Sequence, residues 1–348
     1  VQAGLLELPL RAFNRARAAG FSLENWAFNT LSRVLPGTTN LRDIPPEKIQ
    51  EIRSIWLELL DRDSRNIRQG QYPVSVLLPE SPIAHLRRIP RLMMDGLRIH
   101  RQRRKGTATQ FRTEAQERLD ELPRYYRRNF HFQFDGYLSD ESAELYEHQV
   151  EILFLGAADA MRRMVIAPLR ERFGMSDGKG LSFLEIGCGT GRSTRFVKLA
   201  FPKARIVALD LSDPYLKNAK KSLQDLDRVD FLQGDGGHLP FQGSQFDGVF
   251  SVFLFHELPL EARRDVLAEC RRVLKPGGIV SHVDSMQLGD RPSLDEPLKR
   301  FPQDFHEPFY RNYIENPMED LVGEAGFANV KKDLGFFSKA VWGTLAKS

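Results

Sequence analysis

Three glycines alternate in the run FLEIGCGTGR at 183–192, at Gly187, Gly189 and Gly191. Glycines spaced this way let a chain leaving a strand turn sharply and bring backbone N–H groups up to a ligand. Glu185 stands two positions before the first glycine. A carboxylate there repels phosphate and suits a cationic amino-acid group, whereas dinucleotide folds favour G-x-G-x-x-G to seat a pyrophosphate. Asp210 ends the next apolar run and can accept hydrogen bonds from both hydroxyls of a ribose. NAD sites use the same device, so Asp210 supports an adenosine ligand without choosing between them. Asp235, after Gly234, is placed to accept from an adenine amino group. Cys188 reads as a small packed residue of this loop rather than a nucleophile.

These residues need strands that end together. Apolar runs at 181–186, 204–209, 229–233, 246–253 and 278–283 alternate with helical patterns at 192–200, 214–226 and 260–274. That rhythm implies an α/β fold with a mainly parallel, doubly wound sheet, whose ligands sit at the carboxyl ends of the strands. Upstream the pattern is helical. Residues 45–68 carry Ile49, Ile52, Ile55, Trp56, Leu59 and Leu60 on one stripe, with a partner expected at 23–35. A connecting segment with four prolines follows at 70–90, then a charged helix at about 113–122. A longer helix starts near Ser139, whose hydroxyl can cap it, and Pro168 is expected to end or kink it.

The ordered motifs LEIGCGTG (184–191), VALDLS (207–212), GDGGHLPF (234–241), FDGVFSVFLFHEL (246–258) and VLKPGG (273–278) resemble the class I S-adenosylmethionine-dependent methyltransferases. They are closest to the small-molecule group of ubiquinone/menaquinone-biosynthesis and sterol methyltransferases. The resemblance covers roughly 180–284, and the carboxyl-terminal pattern resembles the family's last helix and antiparallel strand pair. It implies a Rossmann-like seven-stranded sheet with an added helical amino-terminal region, and S-adenosylmethionine as cofactor, leaving S-adenosylhomocysteine as product. Carried over, Glu185, Gly187, Gly189 and Gly191 would surround the methionine part, Asp210 the ribose and Leu211 one adenine face. Asp235 and Gly236 would address the adenine edge, and Ser251 and Phe253 the methionine amino group or sulfonium. Gly236-Gly237 departs from relatives that carry Ala and an acid there, which touches only the adenine packing.

The expected organisation is a helical region at 1–110, a helical lid or cap at 111–178, and a catalytic domain at 179–348 with a substrate-cap insertion at about 286–317. His256 and Glu257, at the end of the fourth strand, are the candidate general base, with pocket-shaping as the alternative role for the histidine. Phe134, Tyr137, His306, Tyr310 and Tyr313 are expected to contact the acceptor. Aromatic cap material within a chain of 24 Phe points to a small, apolar or aromatic acceptor such as a quinone, isoprenoid lipid or secondary metabolite.

A net charge of +4 and a pI of about 9.0 are too mild to indicate a polyanion-coating protein. Residues 87–105 hold eight Lys/Arg against one acid, Asp95, interleaved with apolar positions. This stretch reads either as a contact for an anionic membrane surface or phosphate-bearing partner, or as a solvated helix face. An RNA or protein methyltransferase guided by it, and a cofactor-binding scaffold without catalysis, are the alternatives; nothing else in the chain argues for a nucleic-acid partner. No apolar run approaches the ~20 residues of a bilayer span. The two cysteines, Cys188 and Cys270, have no zinc spacing, and no tight cluster of carboxylates and histidines demands a metal, so none is assigned. A cytoplasmic enzyme, monomeric or homodimeric, with any membrane contact made through 87–105, is the expectation.

Overall fold

Strand-forming apolar runs and the helices between them assemble as one seven-stranded sheet. The computed structural model describes residues 7–32, 46–78, 83, 85, 87–95, 116, 119, 122–127, 135–305 and 307–347. The strands are β1 (Ser182–Ile186), β2 (Arg205–Asp210), β3 (Val229–Gln233), β4 (Phe246–Val252), β5 (Leu274–Ser285), β6 (Ala328–Gly335) and β7 (Ser338–Thr344). Their order is β3-β2-β1-β4-β5-β7-β6. The first five are parallel, and β7 runs antiparallel between β5 and β6. Leu184 pairs with Val207 on one side and Val249 on the other, so strand order reverses across β1. The crevice for a ligand opens at that reversal.

Because helices cover both faces, β1, β2 and β4 are almost wholly buried, with Phe183, Leu184, Ile206, Val249 and Phe250 in the main core. The fifth strand is longer than its apolar run suggests: it begins at Leu274, and the PGG turn lies within it.

The amino-terminal part contributes helices Glu7–Ser32 and Pro46–Arg68. The second buries Ile55, Leu59, Leu60 and Ile67, as its apolar stripe requires. Arg163, almost fully buried, donates two 2.7 Å bonds to Asp63, which also accepts from Tyr72 and Asn14. Arg62 reaches Asp333 of β6 at 2.8 Å. Ser139 caps helix Asp140–Leu153 by accepting from the Ser142 N–H at 3.2 Å.

Pro168 neither ends nor kinks that helix. The chain breaks earlier, at 154–157, where Gly156 (φ +76°) lies so close to the first helix that a Cβ would stand 2.6 Å from Ala18 Cα. Helices Ala158–Arg163 and Ile166–Phe173 follow, and Pro168 falls in the first turn of the latter, where its missing N–H costs nothing. The connecting segment also carries more structure than its prolines suggest: Val74–Leu77 forms a 3-10 turn and 87–95 are helical. The helix expected at 113–122 lies mostly outside the described residues, as do 96–105. Among the described residues, no helix is long and apolar enough to cross a membrane.

Candidate functional site

The glycine loop after β1 is held by its backbone: the N–H groups of Gly187 and Cys188 both donate to Leu209 O, at 2.8 and 2.9 Å. Gly191 takes φ +81°, and a Cβ there would lie 2.6 Å from Leu223 Cδ1, so geometry and space both demand glycine. Helix Arg192–Ala200 starts directly after it. The loop, the ends of β2, β3 and β4, and the helix Asp140–Leu153 enclose a cavity of about 940 Å³, part of it open to solvent.

Asp210 sits in the wall with one oxygen accepting from Gly189 N–H (2.7 Å) and the other from Ser212 N–H (2.8 Å). Burial pushes its carboxyl up to about 6, against those backbone bonds. Leu211, Asp235, Gly236 and Phe253 also line the cavity. Gly236 leaves no room for a side chain without a shift of its neighbour, since a Cβ would fall 2.5 Å from Ile186 Cγ2. Phe253 takes a left-handed φ of +57°, which turns its ring into the wall beside Arg162, whose guanidinium carbon is 5.5 Å from the ring centroid.

Not every expected residue is there. Glu185 alternates with Leu184 and Ile186 along β1; Ile186 reaches the cavity and Glu185 does not. It is buried under the loop, accepts from the Thr194 hydroxyl, and burial pushes its carboxyl up to about 8. Ser251 likewise is not a lining residue, and shares a 2.8 Å bond with His282 Nδ1. Cys188 lines the cavity, but burial holds its thiol far above the ordinary value, so it is no nucleophile.

Of the base candidates, Glu257 lines the cavity and His256 stands behind it. Tyr137 donates its phenol to Glu257 Oε1, and His256 Nε2 is 3.8 Å from the same oxygen. On its other side His256 Nδ1 meets Asp284 Oδ1 at 2.6 Å. Burial opposes the histidine charge, yet Asp284 outweighs it and takes the imidazole up to about 9. Tyr310 and Tyr313 pack edge-on to His256 at 6.0 and 6.3 Å, and bond Ser285 rather than reaching the cavity. Phe134 and His306 lie outside the described residues.

Several wall residues carry no sequence signal of their own. Tyr146 and Glu147 come from helix Asp140–Leu153, Arg162 from Ala158–Arg163, and Tyr125, Tyr126 and Tyr215 complete an aromatic side. Glu147 accepts from the Thr190 hydroxyl and pairs with Arg162 at 2.9 Å. Arg162 and Arg192 converge on the fully buried Asp159, which also holds Arg17 of the first helix at 2.9 Å. Burial works against an ionised Asp159, but Arg192, Arg17 and Arg162 hold it well below the usual carboxylate range. Arg192, directly after the last loop glycine, was given no role from the sequence, although its place beside the motif could have found it.

Residues 183–278 match the Methyltransferase domain family. A fatty-acid O-methyltransferase of Mycolicibacterium smegmatis is 31% identical over 149 residues, 42% of this chain and 53% of the relative. A demethylmenaquinone methyltransferase of Thermotoga maritima is 36% identical over 141 residues, 40% of this chain and 57% of the relative. An uncharacterised methyltransferase of Synechocystis sp. is 33% identical over 158 residues, 44% of this chain and 70% of the relative. The chain belongs to the class I S-adenosylmethionine-dependent methyltransferases. It spans 53% and 57% of the length of the first two relatives.

The residues present fit this family's cofactor. The glycine loop leaves its backbone open to a ligand, and Asp210 keeps further lone pairs for ribose hydroxyls. Asp235 lies beside the Tyr125 phenol and the apolar Leu211, Leu258 and Val266, a setting for an adenine. Arg162 and Arg192 supply cations, and Glu147 an acid, at the end where an amino acid's two charges need partners.

Proposed function

We propose that this chain transfers a methyl group from S-adenosylmethionine to a hydroxyl of a small, largely apolar or aromatic molecule. S-adenosylmethionine supplies a methyl group on a sulfonium, which leaves by in-line displacement. The protein's task is then alignment, exclusion of water and removal of the acceptor's proton.

The observation that carries this reading is Glu257: a carboxylate at the cavity wall, bonded to Tyr137 and set among Tyr126, Tyr146, Tyr215 and Phe253. Burial, then the neighbouring Glu257, keeps the Tyr137 phenol protonated, so Tyr137 remains a donor that fixes the carboxylate. An acceptor hydroxyl that takes Tyr137's place on Glu257 delivers its proton there. His256, pinned by Asp284, sets the position of the turn Phe255–Glu257 that carries this group. Tyr137 is itself held from the cofactor side, since Ser212 donates to its carbonyl at 2.6 Å. Arg263, buried, ties the same turn to the 309–312 segment through Phe255 O, Asn312 and Phe309 O.

The relatives named for a fatty acid and for demethylmenaquinone indicate the acceptor classes to try first. A membrane-resident acceptor is further supported by 87–95, where Leu92 is buried while Met93 and Met94 are exposed beside arginines. Calorimetry with S-adenosylhomocysteine, followed by transfer of labelled methyl to fatty acids, quinols and isoprenoid alcohols, tests the reading. Glu257→Gln should leave S-adenosylhomocysteine affinity unchanged and lower the transfer rate by about 10²–10⁴-fold. A well-folded protein that does not bind S-adenosylhomocysteine, or a Glu257→Gln variant as fast as the wild type, refutes it.

A further inference from the structure

Three side chains from distant parts of the chain meet away from the cofactor cavity. They are Glu24 of the first helix, His85 of the connecting segment and His148 of helix Asp140–Leu153. None lines the cavity. Each histidine presents Nε2 to a different oxygen of one carboxylate: His85 to Glu24 Oε1 at 2.6 Å and His148 to Glu24 Oε2 at 2.9 Å. All the donor atoms fall within 4.8 Å of one another. The two imidazoles are stacked at 4.0 Å with 27° between planes, and the Phe21 ring stands edge-on to both at 5.3 and 5.8 Å.

We propose that Glu24, His85 and His148 form a binding site for a divalent transition-metal ion of the zinc class. Two neutral imidazoles and a carboxylate are the donor set that such ions prefer, at about 2.0–2.2 Å per ligand. The two His–Glu24 donor pairs, 2.6 and 2.9 Å apart, would open to roughly 3.3 Å to share a tetrahedral ion at those lengths. In an ion's place, each neutral ring can donate Nε2–H to its own Glu24 oxygen; a bound ion would take the two Nε2 lone pairs instead.

The surroundings fit a clip with an open position. His148 is almost fully buried, and among the described residues its Nδ1 finds no partner, so Nε2 is its single point of attachment. The Glu24 and His85 side chains are each about a quarter exposed, which gives an ion a path in and leaves room for water as a further ligand. Such an ion would fasten the first helix and the connecting segment to the helix that supplies Tyr146 and Glu147 to the cavity. The sequence alone gives no sign of this cluster, because residues 24, 85 and 148 share no motif spacing.

The test uses the whole protein, free of any polyhistidine tag, stripped with chelator and desalted. Zn²⁺ is titrated in competition with a chromophoric chelator, and Co²⁺ is added separately to read its visible ligand-field absorption. The expected result is one equivalent bound, with His85→Ala and Glu24→Gln each weakening it more than the ~10–100-fold typical of losing an outer partner. His85 and Glu24 are partly exposed, so these variants keep the measurement decisive even where His148→Ala fails to fold. S-adenosylhomocysteine binding by each variant confirms folding and reports on the cofactor site independently. Folded wild type that takes up neither ion overturns the proposal. Equal uptake by wild type and both variants overturns it as well, by placing the ion elsewhere.

Discussion

Asp159→Asn is the sharpest probe of how the amino-terminal helices are joined to the cofactor cavity. Asp159 Oδ1 and Oδ2 accept from Arg192 Nε (2.9 Å) and Nη2 (2.8 Å), and Oδ2 also from Arg17 Nη2 (2.9 Å). An asparagine keeps the shape but must turn its NH₂ toward one of the two Arg192 donors, and it removes the anion shared by three guanidiniums. Breaking a buried ion pair from one side costs about 3–5 kcal/mol. With about 2.1 cal/mol/K of unfolding entropy per residue, the chain loses about 0.7 kcal/mol per degree, so the melting temperature should fall by roughly 4–7 °C. The carboxyl is depressed in the fold, so its contribution is present above the unfolded value and lost only as pH falls through the folded one. The loss on substitution should therefore be the same from about pH 5 to 8. Because Arg162 and Arg192 line the cavity, S-adenosylhomocysteine affinity should drop with it. Thermal melts across that pH range, calorimetry, and a double-mutant cycle with Arg17→Met measure these effects. A melting temperature within about 1 °C of wild type, with unchanged affinity, would refute the hub.

Two further outcomes concern pH. His256 is raised from 6.5 to about 9, so the stability it contributes, about 3 kcal/mol, is complete below 6.5 and lost as pH rises through 9. Asp284→Asn should lower the melting temperature at pH 7 and flatten its decline between pH 6.5 and 9; parallel curves for the two proteins would count against the pair. Asp210 must be ionised to accept strongly from ribose hydroxyls, and its carboxyl lies at about 6. Wild-type affinity for S-adenosylhomocysteine should thus fall about tenfold per pH unit below 6, and Asp210→Asn should be weaker at pH 7.5 with no such slope. An unchanged slope in the variant would assign the titration to another group.

The local chemistry of this protein was legible in one dimension. Gly187, Gly189 and Gly191 mark a loop whose conformation depends on backbone freedom, Asp210 ends β2, whose apolar run is continuous because both sheet faces are covered, and Asp235 follows β3 by two residues. Those are nearest-neighbour properties, so residue type and spacing carry them. Orientation was harder. Glu185 and Ser251 have suitable chemistry, but strand alternation and partners at Thr194 and His282 turn them elsewhere, while Glu257 faces the cavity and His256 stands behind it. Only the tertiary structure decided what brings residues far apart in sequence together. Asp159 gathers Arg17, Arg162 and Arg192, Asp63 gathers Asn14, Tyr72 and Arg163, and Glu24 meets His85 and His148. Such pairings repay the desolvation of buried charge only once the helices have packed, and no local pattern records which partner packing will deliver.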